Sequence, residues 1–368
     1  MMLTARIAIV GGGLAGLYAA YLLEQKGIHD YVLLEAREGW GGRIATTPSI
    51  TESSALDRFD LGPTWFWPDY QAQLDRLIQS LGLERFAQYE KGSMLVERTP
   101  HGAAEWMPGY TYTPPSMRLV GGMGALIDAV RRTLPAHKLL LNHRVQRIRS
   151  EGQHVELDVE AAQQALTFRV ESLLLAVPPR LAATTIDFLP ELPGPLLQAW
   201  RATPTWMAPH AKYLAVYDEP FWRAQGLSGE ARSACGPLGE MHDASMPGGS
   251  AALFGFFALP AALRKGIPEE TLRLHCRAQF ARLFGERAAT PRADFLKDWA
   301  ADSWTATEAD QSEVAQHGSA PPSSAAEGPW RGRLTGIASE WSPQFPGYVA
   351  GAVEAAALGV GQLLRQKT

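Results

Sequence analysis

The spacing of apolar positions changes along the chain, and each change predicts an element. Residues 6–10 read as a short buried strand, residues 17–25 repeat apolar positions at helical spacing, and residues 31–34 return to a short apolar run. Leu74, Leu77, Ile78 and Leu81 mark one face of an amphipathic helix over 71–83. Residues 94–112 are strand-like and rich in turns, and 120–124 open a helix running to 132. Strands follow over 139–148, 155–159 and 172–177, the last halted by Pro178-Pro179. Another strand covers 212–217 and a helix covers 271–284. Residues 316–329, rich in Ser, Ala and Pro, form a loop, and 347–353 enter a final helix. No internal repeat is present. Strands and helices interleave in the order of an α/β fold.

Between the first strand and the first helix stands Gly11-Gly12-Gly13-Leu14-Ala15-Gly16. In this setting Gly11 permits the tight turn and Gly13 lets a pyrophosphate approach the backbone. Gly16 lets helix and strand pack closely, and the helix N-terminus offers free N–H groups and partial positive charge. Glu35, nineteen residues after Gly16 and at the end of the second strand, is placed to accept hydrogen bonds from ribose hydroxyls. Strand, glycines, helix and acid together predict a dinucleotide site.

Composition bounds the rest. The chain has 368 residues, 46% hydrophobic and 20% charged, which suits a globular protein of two domains. A net charge of −4 gives no reason to expect nucleic acid, and His143, Arg144, Arg147 and Arg149 read as the wet face of a strand. The two cysteines, Cys235 and Cys276, provide neither a disulfide framework nor metal-site spacing, so no metal is expected. Signal-peptide layout and membrane-length apolar runs are absent, and a cytoplasmic location is the expectation.

Further segments follow in a definite order: Gly39-Trp40-Gly41-Gly42-Arg43, Phe59 to Trp65, Arg118 to Val130, Leu173 to Arg180, Ala211 to Arg223, Asp298 to Thr305, and Ser339 to Ala356. The ordered set covers nearly the whole chain and resembles the flavin-containing amine oxidases, the superfamily of monoamine, polyamine and L-amino-acid oxidases. The resemblance implies an FAD-binding Rossmann-like domain from residues 1–79, 116–201 and 302–368. A smaller α+β substrate domain would comprise 80–115 and 202–301. It implies non-covalent FAD held by Gly11, Gly13, Ala15, Gly16, Glu35, Ala36, Arg37, Gly42, Arg43, Gly62, Pro63, Thr64, Val145, Glu340 and Val349, with the two arginines facing phosphate or ribose oxygens. Lys212 would hold a water at flavin N5, Tyr348 would flank the flavin, and Trp65 with Tyr348 would contact substrate. The implied reaction takes a hydride from the carbon bearing an amine, yields an imine, and passes electrons to O2 to form H2O2. Two other classes stay open: a related flavoprotein acting on carbon–carbon bonds, and an FAD-retaining binding protein.

The departures are informative. Counting from Trp299, the second aromatic of the family's cage falls near Ala309, so half the cage is missing unless Trp304 or Trp65 substitutes. No cysteine stands where some members attach the flavin. Only residues 84–120 occupy the place of a helical subdomain of about a hundred residues, which predicts a shallower or wider entrance. Trp106, Trp206, Phe256 and Phe257 are candidates to line it, whereas His242 and Asp243 read as a surface turn. No acidic pair can be assigned to the substrate.

Overall fold

A computed structural model describes residues 1–52, 54–100, 102–161, 164–312 and 318–365. Its centre is a five-stranded parallel sheet in the order Leu334–Gly336, Ser172–Leu175, Ile7–Val10, Tyr31–Leu34, Leu139–Leu140. The two N-terminal strands are buried at every position, as a sheet covered on both faces requires. Their alternation separates two cores. Ile7, Ile9 and Leu33 face the helices Leu14–Gln25 and Val349–Arg365, which pack against each other. Ala8, Val10, Val32 and Leu34 face Val145, Ile148, Val155 and Phe168 of a second sheet. That sheet has the order Met2–Thr4, Gln164–Val170, His154–Ala161, His143–Glu151, Asp187–Leu189.

The strand expected over 139–148 is in fact two strands in two sheets. Leu139–Leu140 extends the parallel sheet, and His143–Glu151 begins the second after Asn142 turns through φ 57°. The strand-like region 94–112 likewise resolves into Ser93–Glu97 and Glu105–Pro108. The predicted helices run over Ala72–Ser80, Gly124–Arg132, Glu269–Phe284 and Val349–Arg365. Of the loop expected over 316–329, residues 316 and 317 lie outside the described residues; 318–329 contain no helix or strand.

A seven-stranded sheet completes the fold, in the order Ala293–Asp298, Ala211–Tyr217, Ala251–Phe257, Leu238–Asp243, Leu227–Ser233, Ser93–Glu97, Glu105–Pro108. Tyr213, Ala215 and Tyr217 point to the helix Glu269–Phe284, where Cys276 and Phe280 are fully buried. Leu214 and Val216 point the other way, toward Phe59 and Phe254. With a period of two, Lys212 belongs to this second face. The short segment 84–120 therefore contributes two strands to this sheet, and a two-stranded ladder of Arg85–Ala87 with Met117–Leu119. His242 and Asp243 are buried members of a strand, not a surface turn, because Asp243 serves as an internal acceptor. Its carboxylate takes hydrogen bonds from Trp222 Nε1, Arg223 and Ser245 N. That anchor explains the placement of the Pro220-Phe221-Trp222-Arg223 segment.

The closest backbone approach in the fold lies at the first turn. A Cβ on Gly16 would stand 1.9 Å from Gly11 O, while Gly11 itself adopts φ 109°. Gly16→Ala is therefore predicted to push the first helix off its strand and lower stability by about 1–3 kcal/mol. Thermal unfolding checks this, and an unchanged melting temperature would contradict it.

Candidate active site

A cavity of about 740 Å³ runs from the first glycine turn to the seven-stranded sheet. Gly11, Gly13, Ala15, Glu35, Ala36 and Val145 line one end. A Cβ on Gly13 would meet nothing nearer than Gly41 O at 3.7 Å, so the space over this residue is open for a ligand. Helices begin beside the cavity at Leu14 and Val349, and their N-termini favour negative charge there. Glu35 accepts hydrogen bonds from Gly12 N at 2.6 Å and Arg37 N at 2.8 Å. Burial pushes its carboxyl up, and those two bonds oppose the rise. A carboxylate has about four acceptor sites, so capacity remains for ligand hydroxyls. Next to Val145, a register shift opposite Asp158 and Val159 interrupts the ladder. These features fit the two hydroxyls, pyrophosphate and base of a dinucleotide.

Arg37 and Arg43 line the cavity, but their guanidinium groups are held by carboxylates. Arg37 donates to both oxygens of Asp302 at 2.9 Å, and Arg43 donates to Glu340 and to Ser339 Oγ at 3.1 Å. Glu340 itself is buried behind the wall, with Ala338 and Ser339 in front. Its position assigns it to orienting Arg43 and not to ligand contact. Gly16 is also off the wall, where it serves helix packing. The expected wet face of His143–Glu151 divides likewise: Arg147 and Arg149 pair with carboxylates, while His143 and Arg144 border the cavity.

At the far end, Gly62, Pro63, Thr64 and Trp65 form one wall. Lys212 lies just behind it, fully buried, and donates to Thr64 Oγ1 at 2.7 Å and Gly62 O at 3.2 Å. Its Nζ sits 4.0 Å from the centroid of the Phe254 ring. Burial brings the ammonium down to about 7, with Asp60 opposing and Arg118 reinforcing the fall. Lys212 therefore reaches the cavity through Thr64 and Gly62 and does not itself line it.

Both candidates for the missing aromatic, Trp304 and Trp65, line the cavity, Trp304 beside Arg144, whose guanidinium stands 5.3 Å from its ring. Tyr348 instead meets Trp67 edge to face at 6.5 Å, and both line the cavity with Trp65. Trp67 was missed, because Trp65-Phe66-Trp67 is apolar throughout and shows no alternation; the burial of Phe66 puts Trp65 and Trp67 on the opposite side of an extended segment. Their indole N–H groups donate to Gln88 and Ser116 of the short 84–120 segment. Trp206, Phe256 and Phe257 also line the cavity, but Trp106 is exposed on an edge strand outside it.

Two charged side chains border this end, Arg232 and Glu240, and they pair with each other. His242 Nε2 is 2.7 Å from Glu240 Oε1. Burial favours the neutral Glu240, but the His242 hydrogen bond and the charge of Arg232 outweigh it and hold the carboxyl below its usual range. Nothing in the sequence marked Glu240, because its direction depends on sheet register.

Comparisons with known proteins agree with this geometry. Residues 88–364 match the family described as flavin containing amine oxidoreductase, and residues 9–81 match the NAD(P)-binding Rossmann-like domain. A putrescine oxidase of Kocuria rosea is 26% identical, over 81% of this chain and 83% of that protein. A Dictyostelium discoideum protein named "Probable flavin-containing monoamine oxidase A" is 24% identical, over 81% and 84%. Among solved structures, putrescine oxidase bound to putrescine aligns with TM-score 0.79, 20% identity and coverage of 99% and 100%. Cyclohexylamine oxidase from Brevibacterium oxydans IH-35A aligns with TM-score 0.79, 18% identity and 99% coverage of both chains. The chain belongs to the flavin-containing amine oxidoreductases. It is an FAD-dependent enzyme oxidising amines, and the carbon–carbon and binding-protein alternatives are not favoured.

If Glu340 acts by orienting Arg43, Glu340→Gln should weaken FAD binding about tenfold. Fluorescence titration of the apoprotein measures this, and an unchanged dissociation constant would exclude the role.

Proposed function

We propose that this member of the flavin-containing amine oxidoreductases oxidises an aliphatic amine carrying a second cationic group, using non-covalently held FAD and O2. The observation that carries the substrate reading is local charge. Glu240 borders the cavity, and Glu230 and Glu90 act on the same cluster, while Arg232 is the one arginine set among them. Burial, together with the like charge of Glu230, pushes Glu90 up. Three carboxyl groups around one guanidinium and the His242 imidazole favour a second ammonium over a substrate carboxylate. The family resemblance of the putrescine oxidase is consistent with such a substrate.

The cofactor reading rests on residues lining the cavity. Gly11, Gly13 and Ala15 would cradle the pyrophosphate, Glu35 the ribose hydroxyls, and Val145 the adenine. Ala36, Arg37, Gly42, Arg43, Gly62, Pro63, Thr64 and Val349 would enclose the remainder, with Gly16 and Glu340 in support. Cys235 and Cys276 are buried and neither lines the cavity, which favours a flavin without a covalent link. When bound, FAD would supply the redox chemistry, accepting a hydride from the amine-bearing carbon and passing two electrons to O2, for an overall yield of imine and H2O2. The chain supplies orientation and field. Trp65, Trp67 and Tyr348 confine the amine, the helix start at Val349 favours negative charge, and Lys212 keeps a basic group behind Thr64.

The domain assignment stands as part of this proposal: residues 1–79, 116–201 and 302–368 for FAD, 80–115 and 202–301 for substrate. It is supported by the seven-stranded sheet, whose strands come from 93–108 and 211–298. No helix among the described residues is long and apolar enough to cross a membrane. We place the enzyme in the cytoplasm.

A peroxide-coupled assay over mono-, di- and polyamines tests the substrate reading. Diamines should be preferred over matched monoamines. Glu240→Gln should raise KM for a diamine about tenfold while changing the monoamine value little. Equal effects on both would overturn the assignment of Glu240. In a second test, Lys212→Met should slow reoxidation of the photoreduced enzyme by O2, and an unchanged rate would remove Lys212 from the reaction.

A further inference from the structure

Lys212 stands at the head of a row of buried charges that the reaction as described does not use. Asp60 lies in the turn that wraps Lys212, two residues before Gly62, and is 3% exposed. Its Oδ1 accepts from Met123 N at 2.7 Å. Arg118, 2% exposed, comes next on the strand Met117–Leu119. It makes no ion pair with Asp60; instead it donates to Ala244 O at 2.7 Å and Ser245 O at 3.2 Å, and its Nε is buried without a partner. Asp243 and Arg223 follow, bonded to each other. Burial also pushes the Asp60 carboxyl up to about 6, against the charges of Lys212 and Arg118; with Asp60 ionised and Lys212 neutral, the row has two cations and two carboxylates. With Lys212 charged, it carries one uncompensated positive charge beside the cavity. Burial magnifies that difference, because no solvent screens it.

We infer that Asp60 and Arg118 are positioning residues that set, with opposite sign, whether Lys212 carries a proton, and so couple Lys212 to the charge on the bound flavin. The inference rests on the reading that Lys212 serves the flavin. Other groups around Lys212 are already engaged. Lys297, its cross-strand partner, is bonded to Asp302 at 2.7 Å, and Arg58, which acts on Asp60, pairs with Asp128 at 2.8 Å. His210, two residues earlier on the approach to the strand, is kept toward neutrality by burial and by the charge of Arg264. On the paired strand Ala251–Phe257, Phe254 and Phe256 face Lys212 without charge. Asp60 and Arg118, neither of them in an ion pair among the described residues, are the charges that act on it.

The signs follow directly. Removing the Asp60 charge withdraws support from the ammonium, so Lys212 loses its proton at lower pH. Removing the Arg118 charge withdraws repulsion, so it loses its proton at higher pH. A residue needed only for folding would not produce opposite shifts.

The test is the midpoint potential of the bound flavin as a function of pH, measured by reductive titration of the holoenzyme without amine. The wild type should show a break in slope corresponding to one proton. Asp60→Asn, which preserves the acceptor for Met123 N, should move the break about one to two pH units down. Arg118→Gln should move it up by a similar amount, and Arg118→Lys should restore the wild-type position. Near-UV circular dichroism identifies any variant that fails to fold, in which case the remaining variant decides. The inference is overturned if a folded Asp60→Asn or Arg118→Gln leaves the break in place, or if both shift it the same way. Lys212→Met separates the two levels of the argument. Loss of the break supports the reading of Lys212 on which the inference depends, and its persistence removes both.

Discussion

Two arginine–carboxylate pairs join the ends of the chain around the cavity. Arg43 reaches Glu340 across 297 positions, and Arg37 reaches Asp302 across 265. Neither pair is fully exposed, and each arginine is engaged by both oxygens of its partner, a geometry that fixes direction as well as distance. The glycine turns at 11–16 and 41–42 create room beside the backbone. The ion pairs hold the walls opposite those turns. They add to the strand pairing of Leu334–Gly336 and the packing of Val349–Arg365 on the first helix, which flank residues 338–348 on both sides. Cofactor binding in this fold is consequently a long-range property, although its best-known signature is local.

The same logic explains the shortened segment 84–120. It supplies no helical roof, yet it braces the aromatic wall through Gln88 to Trp65 and Ser116 to Trp67. Gln88 continues to Asp243 O, linking the wall to the strand that presents Glu240. Hydrogen bonds from Gln88 and Ser116, which flank two short strands, thereby brace the aromatic wall of the cavity. The cavity wall is polar where Glu240 and Arg232 line it, with His242 behind Glu240, and aromatic at Trp65, Trp67 and Tyr348. This combination suits a substrate with a hydrocarbon middle and a charged far end.

Much of the FAD half was legible because its determinants are consecutive. Gly11 to Gly16 and Glu35 occupy the end of one strand, the start of one helix and the end of the next strand, so spacing alone sets their geometry. The break at Asn142 was not legible, since a single left-handed residue moves the chain from one sheet to another while the apolar pattern continues. Lys212 was found by its neighbours in sequence, but its separation from the cavity by Thr64 depends on the turn packed against it. Glu240 and Trp67 both line the cavity. Trp67 required the burial of Phe66 beside it, and Glu240 required the register of the Leu238–Asp243 strand. Arg37 and Arg43 line the cavity, while the partners of their charges lay too far along the chain to infer.

The central claim is that one cavity holds FAD and a diamine together, with the amine-bearing carbon presented to the flavin. Anaerobic mixing of the purified holoenzyme with a short aliphatic diamine tests it most directly, with the visible flavin absorbance followed in time. The account predicts bleaching that saturates with diamine concentration and is reversed on admitting O2, with peroxide formed in step. Absorbance that stays oxidised with diamines, while monoamines or other substrates bleach it, would contradict the account of this site.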